Sequence, residues 1–393
     1  MRARPRPDMA LATAAAMGII FGAQGISTAL PAIQTALGVS DSRLGLFTAA
    51  YMLPGVLFAI PLGYLADRIG RRQVFASMAA LYGLAGGAQA LVGNYDVMLA
   101  LRVLQGVGFA ALMPLSITLI GDVYRGHAQL RAQASRQVAT TTAEFLVPLI
   151  GAALAAWSWK APLAAQALIL PLGLLALVVL DGRPRHDAAR GYARQLGEAV
   201  REPGMPAVLT AGFLRYVCRF SVVAYLPVVL VQDRGASLGQ SAIVVSTSAG
   251  IAALVSLNIV RLLRHVRASR LVLFAVAGIG AALIGFGAAP TWQVALGVAV
   301  AFGLADGMLG VLQNAMVTEI APPRIRGGVL AVSGMSRNAG KLLAPLAMGA
   351  LIVVVSVPWS FAVMGLVTWA SLPALRSLSH MDRLSFAIVS KIQ

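Results

Sequence analysis

Twelve apolar stretches, each about long enough to cross a bilayer, fill the chain from Met9 to Leu375. A hydrocarbon layer of about 30 Å takes roughly 20 apolar helical residues. That layer holds no water, so a chain crossing it must satisfy its own backbone, as helices or as a closed barrel. The runs are long and continuous, which selects helices. The spans are expected at 9–31, 44–62, 73–93, 97–121, 137–157, 161–180, 206–231, 237–260, 271–289, 291–317, 328–354 and 358–375. With 59% hydrophobic and 11% charged residues, little chain remains for a domain outside the membrane.

The net charge of +17 suggests nucleic acid until the charges are placed. Of the 31 Lys and Arg, 23 fall in the two tails or in alternate loops, while the opposite loops hold only Arg43, Lys160 and Arg234. That asymmetry follows the positive-inside rule, which sets both termini in the cytoplasm and makes nucleic acid an unneeded partner. The lipid bilayer is the expected one, with some attraction to anionic headgroups. Arg2, Arg4 and Arg6 before an apolar run imitate a secretory signal, but the run is long, and an uncleaved first helix is expected. Cys218, alone of its kind, excludes an intramolecular disulfide and a cysteine-built metal site. No metal and no cofactor is expected.

Sliding the chain over itself by 197 residues lays spans two to five over spans eight to eleven without gaps. Gly106 then meets Gly303, Asp122 meets Glu319 and Pro148 meets Pro345. The pattern predicts two six-helix bundles, 1–180 and 206–393, repeated in parallel about an axis along the membrane normal. Between them, 181–205 reads as a charged cytoplasmic linker whose last part is amphipathic.

Between spans two and three lies the loop GYLADRIGRR, Gly63 to Arg72. Gly63 and Gly70 allow close helix approach and a tight turn. Asp67 can accept from a helix N-terminus or an Arg, and Arg71 can reach Asp122 at the end of span four. With Arg72, this spacing resembles the signature of the major facilitator superfamily, and the resemblance runs over nearly the whole chain. It implies the major facilitator fold, an all-α membrane protein of 12 transmembrane helices in two pseudo-symmetric bundles. It also implies that Gly63, Asp67, Gly70, Arg71, Arg72 and Asp122 latch the outward-facing state. The second-half counterpart, 260–270, has Arg264 where the first half has Asp67, so the latch is asymmetric. LRVLQGVGFAA, 101–111, is similar to the family's helix 4 motif, in which the Arg is associated with proton coupling; here that is Arg102. EFLVPLIGAAL, 144–154, is similar to a degraded antiporter motif, with Pro148 and Gly151 matching and Val147 and Ala152 replacing glycines.

Seven ionisable residues fall inside the spans: Arg102, Glu144, Arg215, Arg219, Asp306, Arg337 and Lys341. Five bases against two acids predict a positively biased cavity, suited to an anionic group. Arg215 and Arg219 share one face of span seven, four residues apart. With Tyr216 they are the preferred substrate contacts, since guanidinium groups bind carboxylate or phenolate bidentately; an internal ion pair with Asp306 or Glu144 is the structural alternative. Gln24, Gln313, Asn314, Arg337, Asn338 and Lys341 complete the candidate substrate site. Glu144, then Asp306, are the candidate proton carriers, beside Arg102.

His127, His186, His265 and His380 have no metal spacing, and no nucleotide loop or nucleophile motif is visible, so an enzyme is not expected. The resemblance implies a monomeric secondary transporter of the bacterial inner membrane that exchanges protons for a small-molecule substrate, exporting an amphiphilic or drug-like compound. Export of an anionic metabolite such as a siderophore or organic acid is the alternative, with import or a non-transporting sensor behind it.

Overall fold

The computed structural model describes residues 7–124, 126–180, 197, 201–202, 204–263, 266–320 and 326–375. Nearly all of the expected linker 181–205, Arg264, and the side chains of Asp67 and Asp122 lie outside the described residues. Among those residues the regular structure is helical. Ten helices are long and apolar enough to cross a membrane, eleven when one bent pair is counted as a single span.

The difference from twelve has a local cause. The expected second span, 44–62, is divided at Phe58 into α3 (Asp41–Leu57) and α4 (Ala59–Ile69), following α1 (Pro7–Ile20) and α2 (Leu30–Leu37). Pro61 has no N–H for the carbonyl of Leu57, four residues back, and its ring crowds that carbonyl. The helix therefore breaks there. Pro31 acts the same way on Ser27 in the first span, where α1, a π turn at Phe21–Gly25 and α2 bend by 53° instead of running straight over 9–31. Hydroxyls beside the break take up carbonyls of the π turn and of the later helix at Pro148. Ser27 donates to Gln24 O (2.7 Å), and Thr28 donates to Gly25 O (3.0 Å) and Pro148 O (3.1 Å). Such local replacement is what lets a membrane helix carry a break.

GYLADRIGRR is correspondingly less of a loop than expected. Helix α4 continues through Ile69, and α5 (Arg71–Ala88) starts directly after Gly70, whose φ of 105° disfavours a side chain. Gly63, in contrast, faces open space, so close helix approach is not its role. Then follow α6 (Tyr95–Val123), capped by the Asn94 side chain, α7 (Gly126–Trp157), α8 (Ala161–Ala164), a 3-10 turn at Ala165–Ile169 and α9 (Leu170–Val179). The second half contains α10 (Met205–Val228), a π turn at Val229–Asp233, α11 (Leu238–Leu263), α12 (Ala268–Ala288), α13 (Trp292–Ile320), α14 (Arg326–Val354), α15 (Val357–Ala370) and α16 (Leu372–Leu375).

Contacts divide the chain into two compact units, Met1–Asp187 with Ser237–Ala242, and Ala188–Ala236 with Ile243–Gln393. In the first, α6 packs on α1, α3 and α5, and α1 also packs on α7. In the second, α10 packs on α13 and α14, and α12 on α13 and α15. The 197-residue offset recurs in this packing. A Cβ on Gly106 would lie 2.5 Å from Tyr51 O, and one on Gly303 2.5 Å from Ser248 O. Thr28 donates to Pro148 O, and Tyr225 donates to Pro345 O at 3.4 Å. Both of these contacts of the first unit map onto their counterparts in the second by the same shift.

Candidate functional site

In the second unit, α10 and α13 hold a three-membered charge cluster. Asp306 is fully buried, and Arg215 clasps it as a fork, Nε to Oδ1 at 2.7 Å and Nη2 to Oδ2 at 2.9 Å. Arg215 Nε also reaches the Asp306 carbonyl (3.1 Å), and Arg219 Nη1 donates to Oδ2 at 2.5 Å. The geometry follows from periodicity, since residues 215 and 219 are stacked one turn apart on α10 and can share one acceptor on the facing helix. Gly310, one turn past Asp306, leaves the room: a Cβ there would be 2.7 Å from Arg215 Cζ. A carboxylate in this position compensates one of two buried cations, and its hydrogen bonds are the charge-assisted kind.

The sequence placed Arg215 and Arg219 as substrate contacts. The structure gives them the internal alternative, with Asp306 as the shared partner. Tyr216 lies against this cluster, with Arg215 Cζ 5.1 Å and Lys341 Nζ 5.0 Å from its ring centroid. Lys341, on α14, also lies 5.7 Å from the Phe220 ring, and the two rings are 6.3 Å apart. Arg337 donates to Asn314 Oδ1 at 2.7 Å and is within electrostatic reach of Tyr216. Around Tyr216 the chain thus gathers Arg215, Arg219, Arg337 and Lys341, with Asp306 facing the first two. Gln313 is buried and donates to Ser333 Oγ at 3.1 Å, and Asn338 is partly exposed on α14.

Among the described residues of the first unit the most deeply buried cation is Arg102, 1% exposed on α6, ahead of Arg136 on α7 at 7%. Nη2 donates to Gly22 O (2.6 Å) in the π turn of the first span, where the widened helix opens carbonyl lone pairs to a side chain. Nη1 donates to Gln105 Oε1 (2.8 Å) and Gln166 Oε1 (3.2 Å), and Nε to Phe47 O (3.4 Å). Its Cζ stands 4.5 Å from the Tyr51 ring centroid and 4.7 Å from that of Phe47. Gln105 donates to Gln166, Gln89 donates to Gln105 (3.0 Å), and Tyr51 and Tyr82 share a hydroxyl contact at 3.2 Å. The sequence singled out Arg102. It missed Gln89, Gln166, Tyr51 and Tyr82, whose signal was polar side chains inside apolar spans.

Other expected residues fall elsewhere in the first unit. Glu144 is partly exposed on α7, and Gln24 is buried in the π turn. Pro148 and Gly151 lie where α7 crosses the first span: Pro148 O accepts from Thr28, and a Cβ on Gly151 would collide with the Gly25 backbone. Arg71 donates to Thr118 O at 3.3 Å, one turn before Asp122, and Arg72 is exposed.

Comparison with known proteins agrees with this architecture. The Bacillibactin exporter of Bacillus subtilis (strain 168) is 26% identical over 210 residues, 50% of this chain and 52% of that protein. Quinolone resistance protein NorA of Staphylococcus aureus (strain MRSA252) is 24% identical over 207 residues, 53% of each chain. The Multidrug transporter protein MdtP of Bacillus subtilis (strain 168) is 28% identical over 158 residues, 39% of this chain and 28% of that one. The chain spans about half the length, or less, of these relatives. Among solved structures, a mutant of the nucleoside transporter NupG superposes with a TM-score of 0.79 at 13% identity, over 94% of this chain and 99% of that one. The D-xylose-proton symporter does so with 0.73 at 19%, over 93% and 96%. At such identity these two share the fold. The family model described as Major Facilitator Superfamily matches residues 12–290 and 208–380, and this multi-pass membrane protein belongs to that superfamily.

Proposed function

We propose that the chain is a proton-coupled secondary transporter, not an enzyme, that exports a small amphiphilic or drug-like molecule from a bacterial cytoplasm by alternating access. The observation that carries this reading is the Asp306 cluster. Arg215 lies ten residues into α10, about 15 Å along it at ~1.5 Å per residue. That depth is near the middle of a layer about 30 Å thick. Ionisable groups at such depth are costly, and functional when present. Export is supported by the names of the relatives, an exporter, a resistance protein and a multidrug transporter.

In this reading the bundles 1–180 and 206–393, joined by 181–205, rock about a midplane site with both termini in the cytoplasm, and the chain works as a monomer. A proton reaching Asp306 removes the charge that holds both arginine donors, so protonation and arginine release are linked. Glu144 and Arg102 are the first unit's candidates for the same coupling. Protons and substrate then favour opposite facing states by differential affinity alone. The latch of Gly63, Asp67, Gly70, Arg71, Arg72 and Asp122 biases one of those states. The cation excess around Tyr216 favours a second reading, export of an anionic metabolite.

Inverted membrane vesicles under an imposed proton gradient test both. Accumulation of cationic dyes supports the drug exporter, and accumulation of catecholate or carboxylate anions the second reading. No gradient-dependent uptake of either class sinks the proposal. Asp67→Asn should slow transport while leaving membrane insertion intact; full activity would remove the latch.

A further inference from the structure

We infer that the first unit carries a binding site for a small carboxylate at the seam of α1 and α7, built on Arg136. The inference rests on the transporter reading and deepens its anionic branch, with the acid group held by a helix the sequence did not favour. The expected fifth span, 137–157, left Arg136 one residue outside, among solvated charges. In the structure α7 starts at Gly126 and its apolar span at Arg131. Arg136 is therefore about 7.5 Å inside the span at ~1.5 Å per residue. Its side chain turns inward and is 7% exposed.

This cation lacks a counter-charge. No carboxylate among the described residues pairs with Arg136. Glu144, the acid on the same helix, is eight residues on, about 12 Å along the axis. A guanidinium left uncompensated at that depth is costly, and functional when present. Its donors are also aimed. Gln133, one turn back, donates from Nε2 to Ile117 O on α6 (2.9 Å) and accepts from Arg136 Nε (3.3 Å). That tether spends Nε and leaves the edge formed by Nη1 and Nη2 without a partner among the described residues. Neither Nη is closed off from water.

A second orphan stands on the facing wall. Helices α1 and α7 run in the same direction, since Ile20 packs with Ala143 and, further on, Thr28 reaches Pro148 O. Seven residues, close to two helical turns, before Ile20 and Ala143 come Thr13 and Arg136. Both therefore face the seam at one level. Thr13 Oγ1 is buried with no hydrogen-bond partner among the described residues.

The chemistry of the seam selects the ligand. Two parallel N–H donors on one guanidinium edge match the two oxygens of a carboxylate. Chloride offers the fork one atom, and a neutral amide offers one oxygen and no charge. The Thr13 hydroxyl is a third donor. A bound carboxylate supplies the missing charge, so it should stabilise the folded protein in proportion to its occupancy.

The test is the thermal unfolding midpoint of the full-length protein in detergent, with sodium acetate replacing sodium chloride at constant ionic strength and acetamide as the neutral control. The midpoint should rise saturably with acetate and stay level with acetamide. Arg136→Gln should weaken acetate at least about tenfold, the scale of hydrogen bonds to a charged group, and Thr13→Val about two- to tenfold. Arg136→Lys keeps the charge but loses the fork, and should lose the preference for acetate over chloride. In chloride alone Arg136→Gln should hold its midpoint, because no ion pair is broken, so a lost response is not a lost fold. No acetate response by the unaltered protein overturns the site. So does an undiminished response in Arg136→Gln or in Thr13→Val. Inverted vesicles supplied with succinate separate the two sources of carboxylate. Gradient-driven succinate uptake whose KM rises about tenfold in Arg136→Gln marks the acid group of a transported molecule. Succinate that alters dye uptake without being accumulated, an effect lost in Arg136→Gln, marks a free anion. Dye uptake with no acetate response removes the site and leaves the transporter. An acetate response with no gradient-driven uptake of any compound leaves the site and removes the transporter.

Discussion

The two units bury charge in opposite ways. In the first, the most deeply buried cation, Arg102, is held by neutral acceptors: the carbonyls of Gly22 and Phe47, the amides of Gln105 and Gln166, and two aromatic faces. In the second, one anion, Asp306, is held between two cations. The seams are related by the repeat, since Arg102 on α6 reaches back to the first span, whereas Arg215 and Arg219 on α10 reach forward to α13. The cation has changed helices. A neutral cage spreads its support over many weak donors and acceptors, so no single loss leaves a bare charge except loss of the cage itself. An ion triad concentrates its support in one carboxylate, whose loss strands two guanidinium groups. The first arrangement spreads the effect of a lost contact and the second concentrates it.

The largest effect should follow from Asp306→Asn. Removing one partner of a buried ion pair typically costs about 3–5 kcal/mol because the remaining charge is uncompensated. The thermal unfolding midpoint of the purified protein should fall accordingly, and gradient-driven transport should vanish. Combining Asp306→Asn with Arg219→Gln should recover part of the midpoint, since one stranded cation is gone. A double variant no more stable than the single one would break the charge-balance account of the second seam.

Arg102→Lys keeps the first unit's charge but loses the fork and its stacking, for which lysine is no substitute. Gln105 and Gln166 keep donors in Gln89 and Gln105, so leaving Gly22 O short of its donor should cost about 1–3 kcal/mol, the range for an unsatisfied buried polar group. The midpoint should drop less than with Asp306→Asn. Equal drops would erase the distinction between cage and triad. Gly310→Ala sharpens it further: the atoms nearest the new Cβ are the flexible end of Arg215, so the fork loosens from Asp306 at an overpacking cost of about 1 kcal/mol. Gly310→Ala should alter transport more than stability, as measured by uptake against unfolding midpoint.

Most of the spans, the Gly70 turn, the repeat and the buried Arg102, Arg219 and Asp306 were legible because each is written in hydropathy, in a glycine with fixed spacing or in a formal charge. The breaks at Phe58 and after Ser27 were not read, although Pro61 and Pro31 announce them, because hydropathy averages over a proline that sits in an apolar run. The partners of Arg102 were illegible for another reason. Gln166 lies 64 residues from Arg102 in sequence, and the packing of α5 against both α6 and the 3-10 turn at Ala165–Ile169 brings them together. Asp306 was read as a proton carrier and as a possible partner of Arg215, but that it serves both arginines at once depends on helix rotation, which one sequence does not contain.

The smallest expected effect tests whether the repeat persists in energy as well as in geometry. Thr28 and Tyr225 occupy equivalent positions and donate to equivalent carbonyls, Pro148 O at 3.1 Å and Pro345 O at 3.4 Å. Hydrogen bonds between membrane helices average about 0.6 kcal/mol, so Thr28→Val and Tyr225→Phe should each lower the unfolding midpoint slightly. Thr28 also covers Gly25 O beside the bend, whereas Tyr225 sits within continuous α10. Thr28→Val should therefore be the more harmful, because the carbonyl it abandons belongs to a helix already short of internal partners. Equal losses would mean that the bend draws its support from packing at Gly25 and Gly151, and that the first unit's broken helix is no more dependent on its hydroxyls than the second unit's intact one.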